Sequence, residues 1–296
     1  MTERGYGSPA AFRRALTDKL RTVAQSGKWS LPQLQRQLAY DRLLERLYVI
    51  DDRWILKGAT ALLARDLGVR ASIDIDVFRA AALEVAEREV HEAAALDLGD
   101  WFAFDAGAAQ QAGDGAPGLR LPIRARIGPT DWARFHVDLV GNEVRMTGAP
   151  EQMPALARVT MPDLEQSGYR VYPLVDHVAD KIAATFDRYG KNRSPSTRYK
   201  DLVDLVAIAS AASVAAEAQI AALRSEAERR GIELPAAFSV PDREAWKRGY
   251  EAETARSLLE VAATLEEALE LMGRFVDPLL DGSARGTWDP RAERWA

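Results

Sequence analysis

Residues 72–78 read Ser-Ile-Asp-Ile-Asp-Val-Phe, two carboxylates one residue apart inside an apolar, β-prone run. Successive side chains of a strand point to opposite faces. The spacing therefore sends Ile73, Ile75 and Val77 into a core and aligns Ser72, Asp74 and Asp76 on the other face. Carboxylates held about 6–7 Å apart on one face repel each other. A fold that keeps them there is expected to set a cation between them.

The pattern around this strand predicts a mixed α/β first half and a helical second half. Helical spacing runs through 9–26 and 31–50, with Ser30 as N-cap and Pro32 in the first turn of the second helix. Trp54 to Gly58 predicts a short buried strand, residues 60–67 a helix, and 83–97 an amphipathic helix. Two strands are expected around a flexible Gly/Ala-rich loop at 106–118, then a strand at 134–140 in which Arg134, His136 and Asp138 alternate with apolar residues. A Pro-containing connection (149–163) leads to a short strand, Tyr-Arg-Val-Tyr-Pro-Leu. Helices follow near 175–189, 198–212, 214–230 and 251–274, the first two separated by Gly-Lys-Asn-Arg-Ser-Pro-Ser-Thr at 190–197. The division expected is N-terminal helices (1–50) on an α/β core (51–174), then a helical domain (175–296).

Composition narrows the chemistry. With no cysteine and only His91, His136 and His177, disulfides and thiolate or histidine-rich metal sites are excluded or disfavoured. Any metal is expected to have oxygen ligands, hence Mg²⁺ or Mn²⁺. No apolar run reaches membrane-spanning length and the first residues carry no apolar signal segment, so no membrane association and a cytoplasmic location are expected. The net charge of −5 hides an asymmetry: residues 1–50 hold nine Lys/Arg against four Asp/Glu, and 181–200 hold six against Asp187 alone. Such local basic faces attract phosphate, although a salt-bridged helix surface gives the same pattern.

Three pieces together point to chemistry. Gly58-Ala59-Thr60 follows a strand and opens a helix, Asp74-x-Asp76 comes about fifteen residues later, and Asp138 stands alone on a later strand face. A small turn at a helix start presents backbone N–H groups to phosphate. Carboxylates from neighbouring strands can hold two divalent cations that activate a hydroxyl and stabilise leaving pyrophosphate. Neither dinucleotide-binding nor P-loop glycine patterns occur.

The combination resembles the DNA polymerase β nucleotidyltransferase superfamily, and more narrowly the AbiEii/AbiGii toxin nucleotidyltransferases, which include mycobacterial toxins of toxin–antitoxin pairs. The matching stretches are 54–67, 70–78, 134–140 and 180–205, and the likeness covers most of residues 10–210. Where the family often has Lys-Gly-Gly-Thr, this chain has Ala59 in place of the second glycine. The resemblance implies an α+β fold, a polymerase-β-like mixed sheet with flanking helices, followed by a C-terminal helical domain. It implies an NTP substrate and Mg²⁺ (or Mn²⁺) on Asp74, Asp76 and Asp138, with Asp138 also helping to deprotonate the acceptor. Gly58 and Thr60 would lie beside the phosphates and Lys181 would contact the triphosphate. Asp201 and Asp204 match the second motif of the helical half.

The residues themselves leave alternatives open. Lys181 could extend to solvent, and Asp201 and Asp204, three apart on one helical face, could pair with Arg188, Arg198 or Lys200. Lys57 and Arg65 are further phosphate candidates, Arg65 equally an ion-pair partner. His136 shares the face of Asp138 and could touch the acceptor. Ser72, beside both aspartates, is a candidate phosphosite, since phosphorylation adds about two negative charges. The function expected is a toxin that transfers NMP to an acceptor hydroxyl, first of all the 3′ end of tRNA, arresting translation and restrained by a cognate antitoxin. The alternatives are a protein or aminoglycoside-like acceptor, or a non-catalytic nucleotide-binding module.

Overall fold

In the computed structural model, residues 5–112, 118–141, 144–157 and 159–296 are described. Part of the loop expected to be flexible, 113–117, lies outside them. The chain forms two units. The first takes in 1–64, 72–144 and 152–171, the second 65–71, 145–151 and 172–296.

The first unit opens with α1 (Pro9–Ser26) and α2 (Leu31–Ile50). Ser8 caps α1 by accepting from the Ala11 N–H, and the Ser30 N–H donates to the Gln33 side chain at the start of α2. Phe12, Leu16, Leu20, Leu38 and Leu43 are fully buried in the unit's core. Then come β1 (Ile55–Lys57), α3 (Gly58–Ala64), β2 (Asp74–Phe78), α4 (Leu83–Ala95), β3 (Phe102–Ala106), β4 (Gln110–Gln111), β5 (Gly118–Ile127), β6 (Thr130–Val140), β7 (Glu151–Met153) and β8 (Tyr169–Val171). One sheet runs in the order β3-β5-β6-β2-β1-β8-β7, with β4 beside β5. The β2–β6 and β1–β8 pairs are parallel, while β1–β2, β5–β6 and β3–β5 are antiparallel. Alternation sorts the faces: Ile75, Val77, Leu121, Ile123, Phe135, Val137 and Leu139 are buried, while Asp74, Asp76, Arg120, His136 and Asp138 are only half-buried.

Several expectations need correction here. Ile73 is not in the core; it is 60% exposed, because β2 begins at Asp74 and Ser72 and Ile73 precede the pleat. The basic excess of the N-terminal helices is partly internal. Arg42 and Arg46 are buried and share Asp100, Arg46 through bonds of 2.9 and 2.7 Å. The connection at 149–163 contributes a strand, β7, to the sheet edge.

The second unit contains α5 (Leu174–Phe186), β9 (Arg188–Tyr189), β10 (Ser194–Pro195), α6 (Tyr199–Ala211), α7 (Ala216–Arg230), α8 (Arg243–Thr254), α9 (Leu265–Phe275), α10 (Asp277–Leu280), β11 (Trp288–Asp289) and β12 (Arg294–Trp295). The single helix expected near 251–274 is two. The Ser257 hydroxyl donates to the Thr254 carbonyl and accepts from the Leu259 N–H, which ends α8. Thr264 and Glu267 then form a reciprocal capping box that starts α9. The 190–197 stretch turns through a small hairpin, β9–β10. The tail is a second hairpin, in which the Trp288 indole N–H donates to the Ala209 carbonyl at 2.7 Å.

Candidate active site

The first unit aligns its acidic residues by register. In the parallel β2–β6 pair, Asp74 stands opposite His136 and Asp76 opposite Asp138. The His136 Nδ1 lies 3.1 Å from Asp74 Oδ1. On the other side, Lys57 of β1 stands opposite Asp76. Thus Asp74, Asp76 and Asp138 share one face of the sheet although Asp138 is far along the chain.

The glycine of the turn is explained by two constraints. Gly58 has φ +60°, in the left-handed region. A Cβ built there would overlap Asp76 Oδ2. Both the backbone and the packed carboxylate therefore demand glycine. Ala59, which replaces the family's second glycine, lies in α3 and is not among the positive-φ residues. Thr60 is fully buried and its hydroxyl donates to the Asp74 carbonyl at 3.0 Å. In this structure Thr60 braces β2. Ser72 is half-buried ahead of the strand, with its hydroxyl donating to the same carbonyl at 2.8 Å. The Tyr40 hydroxyl, from α2, donates to the Ser72 carbonyl, and burial raises the Tyr40 pKa.

Sequence reasoning missed Arg120. It stands on β5 directly opposite Asp138. Its Nε and terminal nitrogen donate to the two Asp138 oxygens at 2.7 and 2.6 Å, and the terminal nitrogen lies 3.6 Å from Asp74 Oδ2. The bond to Asp138 is the main cause that raises the Arg120 pKa. The available signal was its alternation with Leu121 and Ile123; the register with Asp138 was not readable. Among the described residues, no three His, Asp or Glu groups gather as a ready metal cage. Carboxylate oxygens are the donors a hard divalent cation takes, and Asp74, Asp76 and Asp138 offer them from one face of the sheet.

The helical unit holds a second charged cluster. The Lys181 ammonium donates to Asp201 at 2.8 Å and Asp204 at 2.7 Å, and all three are buried. It does not extend to solvent. Arg198 pairs with Asp201, and Arg70, also unforeseen, grips Asp204 through two bonds of 2.9 Å. Burial opposes the charges, but Lys181 and Arg70 outweigh it and hold Asp204 down at about 2. The two carboxylates likewise keep Lys181 above its ordinary value despite burial. Burial, then the Lys181 charge, depress His177 to about 3. Arg65 takes its ion-pair alternative: it bonds Glu151 at 2.6 Å and the Tyr172 carbonyl at 2.8 Å.

Comparison with known proteins gives this geometry a context. No protein of curated function matches the sequence significantly. The fold is similar to MenT4, a nucleotidyltransferase toxin of Mycobacterium tuberculosis H37Rv, at 20% identity and a TM-score of 0.51, covering 90% of this chain and 97% of that one. JHP933 from Helicobacter pylori is similar at 16% identity and a TM-score of 0.45, covering 83% and 94%. The family model of the nucleotidyl transferase AbiEii toxin, type IV toxin–antitoxin system, matches residues 42–271. That span includes the turn at Gly58, all three aspartates and the Lys181 cluster, so the chain belongs to the AbiEii nucleotidyltransferase toxins of type IV toxin–antitoxin systems.

Proposed function

We propose that this toxin transfers a nucleoside monophosphate from an NTP to the 3′-hydroxyl of tRNA and thereby arrests translation. The observation that carries the reading is the β2–β6 register, which sets Asp76 opposite Asp138 with Asp74 on the same face. Asp74, Asp76 and Asp138 would hold Mg²⁺ or Mn²⁺, which supplies charge neutralisation at the phosphates and the leaving pyrophosphate. The acceptor oxygen attacks the α-phosphorus, forming a new P–O bond as the α–β phosphoanhydride breaks and pyrophosphate departs. Asp138 takes up the hydroxyl proton. His136 is exposed enough, beside Asp74, to meet the acceptor. Gly58 lets the Asp76 carboxylate pack against the turn, and Lys57, opposite Asp76, is the proposed charge for the polyphosphate.

Lys181, kept protonated by Asp201 and Asp204, has the charge state that a triphosphate-contacting lysine needs. Ser72 is the proposed point of inactivation. Phosphorylation would remove its hydroxyl donor to Asp74 and add about two negative charges next to the carboxylates. The exposed Arg188, Lys191, Arg193 and Lys200 suit an RNA backbone. No helix among the described residues is long and apolar enough to cross a membrane.

Incubation with each labelled NTP, Mg²⁺ and total RNA tests the acceptor. Label on a discrete tRNA band, lost in Asp76→Asn, is expected. Label on protein or an aminoglycoside with none on RNA would reject the acceptor proposed. Growth arrest relieved by the cognate antitoxin is expected in cells. Phosphosite mapping of protein inactivated with that antitoxin tests Ser72, and an unmodified Ser72 there rejects its role.

A further inference from the structure

Arg120 is a strong cation placed where the proposed reaction needs a divalent one. Both Asp138 oxygens are engaged by its guanidinium, and Asp74 lies within ion-pair distance of the same nitrogen. Its backbone is fixed by pairing with β6 and by buried Leu121 and Ile123, but its side chain is 43% exposed. An ion pair this accessible opens at little cost. The guanidinium fork also matches phosphate as well as it matches carboxylate.

A divalent ion and a guanidinium cannot hold the same two oxygens, because like charges a few ångströms apart repel. We infer that Arg120 is a nucleotide-binding residue that exchanges partners, neutralising Asp138 and Asp74 until an NTP arrives and then moving to the triphosphate as a divalent ion takes over the carboxylates. This rests on the reading of the face as an NTP–metal site. The exchange couples the two ligands. Metal alone has to displace Arg120 with no anion to receive it, whereas metal with NTP supplies one. Nucleotide therefore commits the site to its metal, and Arg120 offsets part of the carboxylate charge when no substrate is present.

Calorimetric titration of the intact protein separates the roles. MnCl₂ alone is titrated first, then a non-hydrolysable NTP analogue in saturating MnCl₂, for the natural protein, Arg120→Ala and Arg120→Lys. Arg120→Ala is expected to bind Mn²⁺ alone about tenfold more tightly and the analogue about tenfold more weakly, in line with loss of one charge-assisted contact. Arg120→Lys, which keeps the charge and loses the fork, should fall between. Added Mn²⁺ should raise the melting temperature of Arg120→Ala more than that of the natural protein, each measured against its value in EDTA. Unchanged affinities, or both shifting in the same direction, overturn the exchange while leaving the site reading intact. If the natural protein binds neither Mn²⁺ nor the analogue, the site reading itself fails.

Discussion

The two units gather the same residue types under opposite conditions. On the sheet face, Asp74 and Asp138 are 24% and 19% exposed around a guanidinium that is itself accessible. In the helical unit, Asp201 and Asp204 are 7% and 2% exposed around a Lys181 that is 5% exposed. Solvent screens the first group, so its pairs add little to stability and its partners can change. The second group has lost its hydration and depends on complete pairing. Accessible carboxylates can trade one cation for another during a reaction. Buried ones fix a lysine in place and in its charged state.

The sharpest way to break this contrast is at Lys181. Lys181→Met leaves two buried carboxylates short of a cation and should cost about 3 kcal/mol in urea unfolding. A variant as stable as the natural protein would show that the cluster is not under the demand described. Asp76→Asn should do the reverse: transfer activity at least about 100-fold lower, with a melting temperature within about 2 °C of the original. A large loss of stability there would mean the sheet face is structural after all.

Gly58→Ala refines the first half of the comparison. Strain at positive φ and the overlap with Asp76 should together cost about 2 kcal/mol. Activity should drop further than stability explains, since the displaced group is a proposed metal ligand. The pH dependence refines the second half. His177 is neutral in the fold, with its pKa pressed from 6.5 to about 3, so the unfolded chain binds the extra proton between these values. Its contribution is complete above about pH 6.5 and is lost as pH falls, by up to about 1.4 kcal/mol per pH unit. His177→Leu should flatten that slope in denaturation measured from pH 7 to 5.5. The Asp204 pairing, by contrast, persists until pH falls below about 4 toward 2.

Much of this was legible locally. The helices at 9–26 and 31–50 match α1 and α2, because apolar period and cap residues agree there. The pairing of Thr264 with Glu267 was readable as a capping box, yet periodicity across 251–274 concealed the break before it. Ile73 follows the alternation of its neighbours but falls outside β2, where no pairing partner extends the pleat. Lys181 lies four residues from His177 on a helix whose buried face is mostly apolar, and a stripe cannot tell a paired buried lysine from one reaching water.

The sequence by itself determined which side chains share a face within each strand, since the period of two is a property of the backbone. That was enough to pair Asp74 with Asp76 and to single out Asp138. Only the tertiary structure decided that Asp138 stands opposite Asp76, that Arg120 stands opposite Asp138, and that Arg70 reaches Asp204. Register between segments far apart in the chain is fixed by how whole elements pack and pair, and no local pattern encodes it.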